Sequence, residues 1–122
     1  MRVMVLVKAT ADSEKGTMPA DWTREMMAAM GRFNEELRQA GVLLAAEGLQ
    51  PSASGKRIAF DGTRRTVTCG PFARTEELVA GYWLWSVRDM DEAVAWAMRC
   101  PHPMPVPSEI EIRPLDEAAD PA

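Results

Sequence analysis

The stretch Gly81-Tyr82-Trp83-Leu84-Trp85-Ser86-Val87 constrains the fold more than any other part of the chain. Its aromatic and β-branched residues predict a strand. Trp83, Trp85, Leu84 and Val87 make that strand apolar on both faces, so both faces have to be buried. A chain of 122 residues has material for one real core and not two. The question is therefore what surrounds this strand and how much of it the chain itself covers.

The surrounding pattern alternates strand and helix. Residues 2–8 are rich in Val, Met and Leu and predict a strand buried on both faces. Residues 9–18 are polar with one glycine and predict a loop. From Trp22 the apolar positions 22, 26, 30, 33 and 37 form a helical stripe, giving a helix over about 19–40. Pro19 suits its first turn and Gly41 follows as its stop. A second strand runs from Val42 to about Leu49. Residues 56–69 alternate polar and apolar around Asp61-Gly62, predicting a β-hairpin that Gly70-Pro71-Phe72 ends. Residues 73–79 predict a short helical turn or ordered loop. Asp89 and Glu92 have capping-box spacing before a helix that reaches Cys100. Pro101, Pro103, Pro105 and Pro107 force an extended connection to a last strand, Ile110–Arg113.

This order is β-α-β-(ββ)-β-α-β. It predicts an α+β, ferredoxin-like βαββαβ domain over residues 1–115 with an inserted β-hairpin. The acidic tail, residues 116–122, is expected to be flexible. With both helices on one face of a four-stranded sheet, the other face is bare. The expected solution is a homodimer packed through the sheet face, with Trp83 and Trp85 in the interface.

Composition removes several functions. The formal net charge is −4 and the charges are interspersed, which argues against direct nucleic-acid binding. The N-terminal apolar run is too short for a secretory signal, and no run reaches the length of a membrane span. A cytoplasmic, non-membrane protein with reduced Cys69 and Cys100 is expected. One histidine and two cysteines are too few for a Cys/His zinc site, so no metal and no cofactor is expected.

Val67-Thr68-Cys69-Gly70-Pro71-Phe72-Ala73-Arg74-Thr75-Glu76-Glu77-Leu78, with Gly81-Tyr82 after it, resembles the signature of the DGPF proteins of the YCII-related superfamily. Ala40–Leu44, Glu47–Pro51, Asp91–Ala97 and Glu109–Pro114 are similar to further parts of that pattern, in order, so the resemblance spans about residues 2–115. It implies a ferredoxin-like fold dimerised through its sheets, the dimeric α/β-barrel type. Some superfamily members resemble small-molecule enzymes built around a His–Asp dyad, and DGPF proteins have been associated with sigma factors. Here the motif's Asp is Cys69, and the dyad positions fall near Met30 and at Cys100-Pro101, so neither supplies an Asp–His pair.

Candidates for chemistry are few. Glu47, in the otherwise apolar Ala45–Leu49 strand, is the first acid/base candidate and Glu77 the second. Cys69 is a thiol at a strand end. A ligand cleft is expected from Glu47, Cys69, Gly70, Pro71, Phe72 and Glu77. His102, between two prolines, reads as a solvated loop residue, and Met26, Met27 and Met30 as core or groove. The preferred function is a homodimeric small-ligand-binding or regulatory module without the dyad. One alternative is an isomerase, lyase or hydrolase acting on an organic acid or aromatic through Glu47 or Glu77. Another is an accessory protein of transcription initiation, which rests on the family association alone.

Overall fold

A computed structural model describes residues 1–117. The chain runs through β1 (Arg2–Lys8), α1 (Ala11–Lys15), α2 (Ala20–Gln39), β2 (Leu43–Gly48), β3 (Lys56–Asp61), β4 (Arg64–Cys69), β5 (Val79–Ser86), α3 (Met90–Ala97) and β6 (Ile110–Pro114). Four strands form one sheet in the order β2-β5-β1-β6, and every neighbouring pair is antiparallel. Two split βαβ units interlock. β5 lies between the β1 and β2 of the first, and β1 lies between the β5 and β6 of the second. This mixed α+β arrangement is compatible with a ferredoxin-like unit. β3 and β4 pair only with each other and form the inserted hairpin, whose two turn residues are Gly62 and Thr63. Of the expected tail, residues 118–122 lie outside the described residues, while Glu117 is hydrogen-bonded and ion-paired to Arg2.

Local chemistry explains the element ends. At the end of α2, Gly41 takes φ 74°, its N–H reaches the Arg38 carbonyl, and the Val42 N–H reaches that of Leu37. These two bonds complete a Schellman stop. Asp89 caps α3 by accepting from the Glu92 N–H at 2.9 Å. The Glu92 carboxylate reaches one residue further back than a capping box requires, to the Arg88 N–H at 2.7 Å. The loop expected at 9–18 contains α1. There Thr10 and Ser13 cap each other reciprocally and Gly16, at φ 71°, ends the turn.

Register decides what the sheet buries. Val3, Val5 and Val7 of β1 stand opposite Trp85, Trp83 and Gly81 of β5, so they share one face. That inner face meets Phe33 and Leu37 of α2 and Ala93 of α3 in the core cluster. Phe33 sits edge-on to Trp83, Trp85 and Trp96, with ring centroids 5.9, 6.3 and 6.4 Å apart. Trp83 and Trp85 are 5% and 0% exposed. This corrects the expected interface: the two tryptophans fill this chain's own core and have no surface left for a partner. The strand is two-sided as expected, but its outer face consists of Tyr82 and Leu84, opposite Leu6 and Met4. No element of the described chain packs there with a comparable core, and all four residues keep partial exposure.

The hairpin is rooted through a tight backbone crossing. A Cβ on Gly70 would stand 1.8 Å from the Ser52 carbonyl oxygen. Ser52 is itself held, because the Glu14 carboxylate accepts from its N–H at 2.9 Å and from its hydroxyl. Gly70→Ala therefore has to displace backbone, and should destabilise the fold by about 1–3 kcal/mol, the usual range for overpacking. Gly31, mid-helix with open space around it, should give the opposite sign. Gly31→Ala should stabilise by about 0.5–1 kcal/mol through helix propensity. Urea midpoints of the two variants against the parent chain check both signs.

Candidate functional site

Small residues at one end of the inner sheet face make room for a cavity. Ala46 stands opposite Trp83, and Gly48 stands opposite Gly81. No side chain therefore fills the space between that part of the sheet and α2. A Cβ on Gly81 would lie 2.9 Å from the Glu47 carbonyl oxygen, so glycine is needed there for the close approach of β2. The cavity measures about 430 Å³, within the usual range of small-molecule sites. Met26, Met30 and Asn34 roof it from α2, at successive intervals of four residues. Ser13 and Met18 close one side, and Pro103 and Met104 another. Val7 and Trp83 line it from the sheet, and Leu49 lies at the β2 edge; Glu47 and Tyr82, paired with each other, border it while their side chains go to the outer face.

Polar groups are sparse and mostly committed. The Trp83 indole N–H donates to the Asn34 side-chain oxygen at 2.7 Å, which fixes both groups in the lining. The Ser13 hydroxyl donates to the Thr10 carbonyl and accepts from the Thr10 N–H. The Thr10 hydroxyl reaches the Met104 sulfur at 3.6 Å. By contrast, the buried Trp85 indole N–H has no hydrogen-bond partner among the described residues.

The residues singled out in the sequence are not all brought together. Glu47 borders the cavity through β2, but it stands opposite Tyr82, so its exposed side chain alternates to the outer face of the sheet. Cys69, Gly70, Pro71, Phe72 and Glu77 are not among the lining residues. Cys69 is exposed at the hairpin root, where the Lys56 ammonium lies 3.2 Å from its sulfur. Phe72 donates its N–H to the Ser52 hydroxyl and lies under the Arg57 guanidinium, 4.0 Å from the ring centroid. Glu77 is ion-paired with Arg74 at 3.3 Å. The two positions of the superfamily dyad part company as well. Met30 lines the cavity, whereas Cys100 and Pro101 line a second hollow of about 340 Å³ together with His102. Among the described residues no group of three or more His, Cys, Asp or Glu comes together to hold a metal ion. No described helix is long and apolar enough to cross a membrane.

Sequence reasoning missed Asn34, Ser13, Met18 and Met104 as lining residues. Asn34 had a legible signal. It continues the Met26–Met30 spacing, and it is a polar side chain on an apolar helical flank, where it needs a partner. The partner, Trp83, is far away in sequence.

The fold and cavity define a small α+β protein whose helices roof a mostly apolar chamber at one end of an antiparallel sheet. The chain belongs to the YCII-related domain family, whose model matches residues 1–117. It is also similar to an uncharacterised protein of Rhizobium meliloti (strain 1021), with 26% identity over 98 residues, covering 77% of this chain and 79% of that one.

The two thiols should behave differently. Burial pushes the Cys100 thiol from its ordinary 9.0 up to about 11, because a thiolate there would lose its hydration. At pH 8, iodoacetamide followed by mass spectrometry should label Cys69 in the native protein and Cys100 only after unfolding. The raised folded value also fixes a pH dependence. The stabilisation is fully present below pH about 9 and is lost as pH rises towards 11, because the unfolded chain ionises first. The urea midpoint should therefore fall more steeply over that window in the parent chain than in Cys100→Ala.

Proposed function

We propose that this YCII-related protein is a homodimeric small-ligand-binding module of the DGPF type, whose ligand sits in the chamber beneath α2. The observation that carries this reading is the chamber itself. It has the size of a small-molecule site, its lining is chiefly Met, Trp, Val, Leu and Pro, and its one oriented polar pair is Trp83–Asn34. Four methionines in the lining, Met18, Met26, Met30 and Met104, suit adaptable packing around a planar molecule.

The dimer is proposed through the outer sheet face, in the sheet-on-sheet manner of dimeric α/β-barrel proteins. Met4, Leu6, Tyr82 and Leu84 form its apolar centre. Arg2, Lys8, Glu111 and Arg113 occupy the same face around them, as a polar rim would.

Two measurements test the proposal. Light scattering coupled to size exclusion should give about 27 kDa, twice the 13.5 kDa chain, and Leu84→Arg should reduce this to the monomer mass. A Cβ at Gly48 meets nothing within 4 Å, so Gly48→Leu should fill the chamber without a backbone clash. A thermal-shift screen of small aromatic compounds should give hits on the parent chain that disappear in Gly48→Leu. Hits that survive the filling, or a parent chain that runs as a monomer, would contradict the corresponding half of the proposal.

A further inference from the structure

The β3–β4 hairpin has no cover in its own chain. All twelve residues of its two strands are exposed, and the strands pair only with each other. An isolated two-stranded ribbon is marginal in water unless another element packs on it. Register sets Ile58 opposite Val67 and Phe60 opposite Arg65, so Ile58, Phe60 and Val67 share one face. They are 54%, 70% and 59% exposed. Lys56 and Cys69 stand on that face at the root, which leaves the apolar group towards the tip. The opposite face carries Arg57, whose guanidinium lies on Phe72 of the same chain, 4.0 Å from the ring centroid. The apolar face therefore turns away from the chain that bears it. The root is held by the Gly70–Ser52 crossing and by the Phe72 N–H bond to Ser52, so the ribbon is presented in a fixed direction.

Charge selects the cover. Residues 56–69 hold four of the chain's fourteen Lys and Arg and one of its eighteen Asp and Glu, a net +3, so the rest of the chain carries −7. None of the four cations is ion-paired to a described residue. A nucleic acid or an anionic membrane would be drawn to the ribbon but repelled by the acidic body behind it. A membrane would also meet the polar tip, Asp61–Arg64, before the apolar group. The body of a second copy offers the complementary charge. Glu47, exposed at the β2 border of the outer sheet face, has no ion pair with a described residue and is one carboxylate such a ribbon would meet.

We propose that each hairpin is an arm that reaches across to the other subunit of the dimer, lays Ile58, Phe60 and Val67 on it, and sets its cations against the acidic body there. This rests on the dimer reading above and extends the interface beyond the outer sheet face. The two-fold relation makes the embrace reciprocal, so one pair of subunits satisfies both arms.

Crosslinking and dimer strength test the arm. Phe60→p-benzoylphenylalanine, irradiated in an equal mixture of unlabelled and heavy-nitrogen-labelled chains, should give hybrid crosslinked pairs by mass spectrometry. The double variant Ile58→Ser, Phe60→Ser should weaken the dimer by about tenfold or more in sedimentation equilibrium, as loss of an aromatic anchor does. Circular dichroism of both variants checks that the body stays folded. Arg64→Glu should weaken the dimer too, and more at low salt than at high salt. If the parent chain is a monomer, this inference and the dimer reading both fail. If the parent is a dimer that Leu84→Arg dissociates, yet the arm variants leave its dissociation constant unchanged and crosslinks stay within one chain, the arm alone is wrong. A DNA duplex or phosphatidylserine vesicles that bind the parent chain at about 0.15 M salt, and lose it in Arg64→Glu, would also overturn the arm by giving the ribbon a polyanion instead.

Discussion

Phe33 against Trp83 and Trp85 is the contact on which the rest of the molecule depends. It fixes α2 over β5 through two edge-on ring pairs, and Trp96 brings α3 to the same ring. Such pairs contribute about 0.5–1.5 kcal/mol each beyond the area they bury. Their larger effect is geometric. With Phe33 and Leu37 seated on the tryptophans, the N-terminal part of α2 is carried out over a stretch of sheet that has only Ala46, Gly48 and Gly81 beneath it. The chamber is thus a consequence of large residues at one end of the inner face and small ones at the other.

The same contact accounts for the two-sidedness of β5. A strand with apolar side chains on both faces needs two covers. The helices supply one, over Trp83 and Trp85, and the chain offers only Tyr82, Leu84, Met4 and Leu6 on the other side. Polar anchors then hold the parts of the site that the core does not reach. Asn34 takes the Trp83 N–H, and Thr10 reaches Met104 across 94 residues of sequence. Glu14 ties the first short helix to Ser52, and Ser52 in turn accepts from Phe72. A single side chain at Ser52 thereby connects the segment after β1, the turn after β2 and the end of the hairpin.

Much of this architecture was legible in the sequence, because the signals were local. The α2 stripe of Trp22, Met26, Met30, Phe33 and Leu37, the Gly41 stop and the Asp89 cap each act within a few residues of where they are written. The Thr10–Ser13 cap was equally local and passed unread inside a stretch that looked like loop. The error at Trp83 and Trp85 was of another kind. Alternation shows that odd and even residues of a strand part to opposite faces, but not which face the helices take. Volume settles it, since the larger aromatic set fills the covered side. The site was less legible still. Glu47 stands out as a carboxylate in an apolar strand, yet its side chain alternates to the outer face, whereas Asn34 and Met104 join the chamber only through contacts made across the fold. Glu77 and Cys69, close to the family motif in sequence, are held by Arg74 and Lys56 and stay out of the chamber lining.

The account's central claim is that the gap beneath α2 is a binding site whose wall is the Trp83–Asn34 pair. The chain has four tryptophans, and their indole N–H groups give four distinguishable signals in a nitrogen-resolved proton spectrum. Of these, only Trp83 lines the chamber. Following those signals while an aromatic compound from the thermal-shift screen is added tests the claim at the wall itself. The account predicts a saturable shift of the Trp83 signal, with Trp22 unmoved. A saturable shift confined to Trp22, or four unmoved signals at saturating compound, would contradict it.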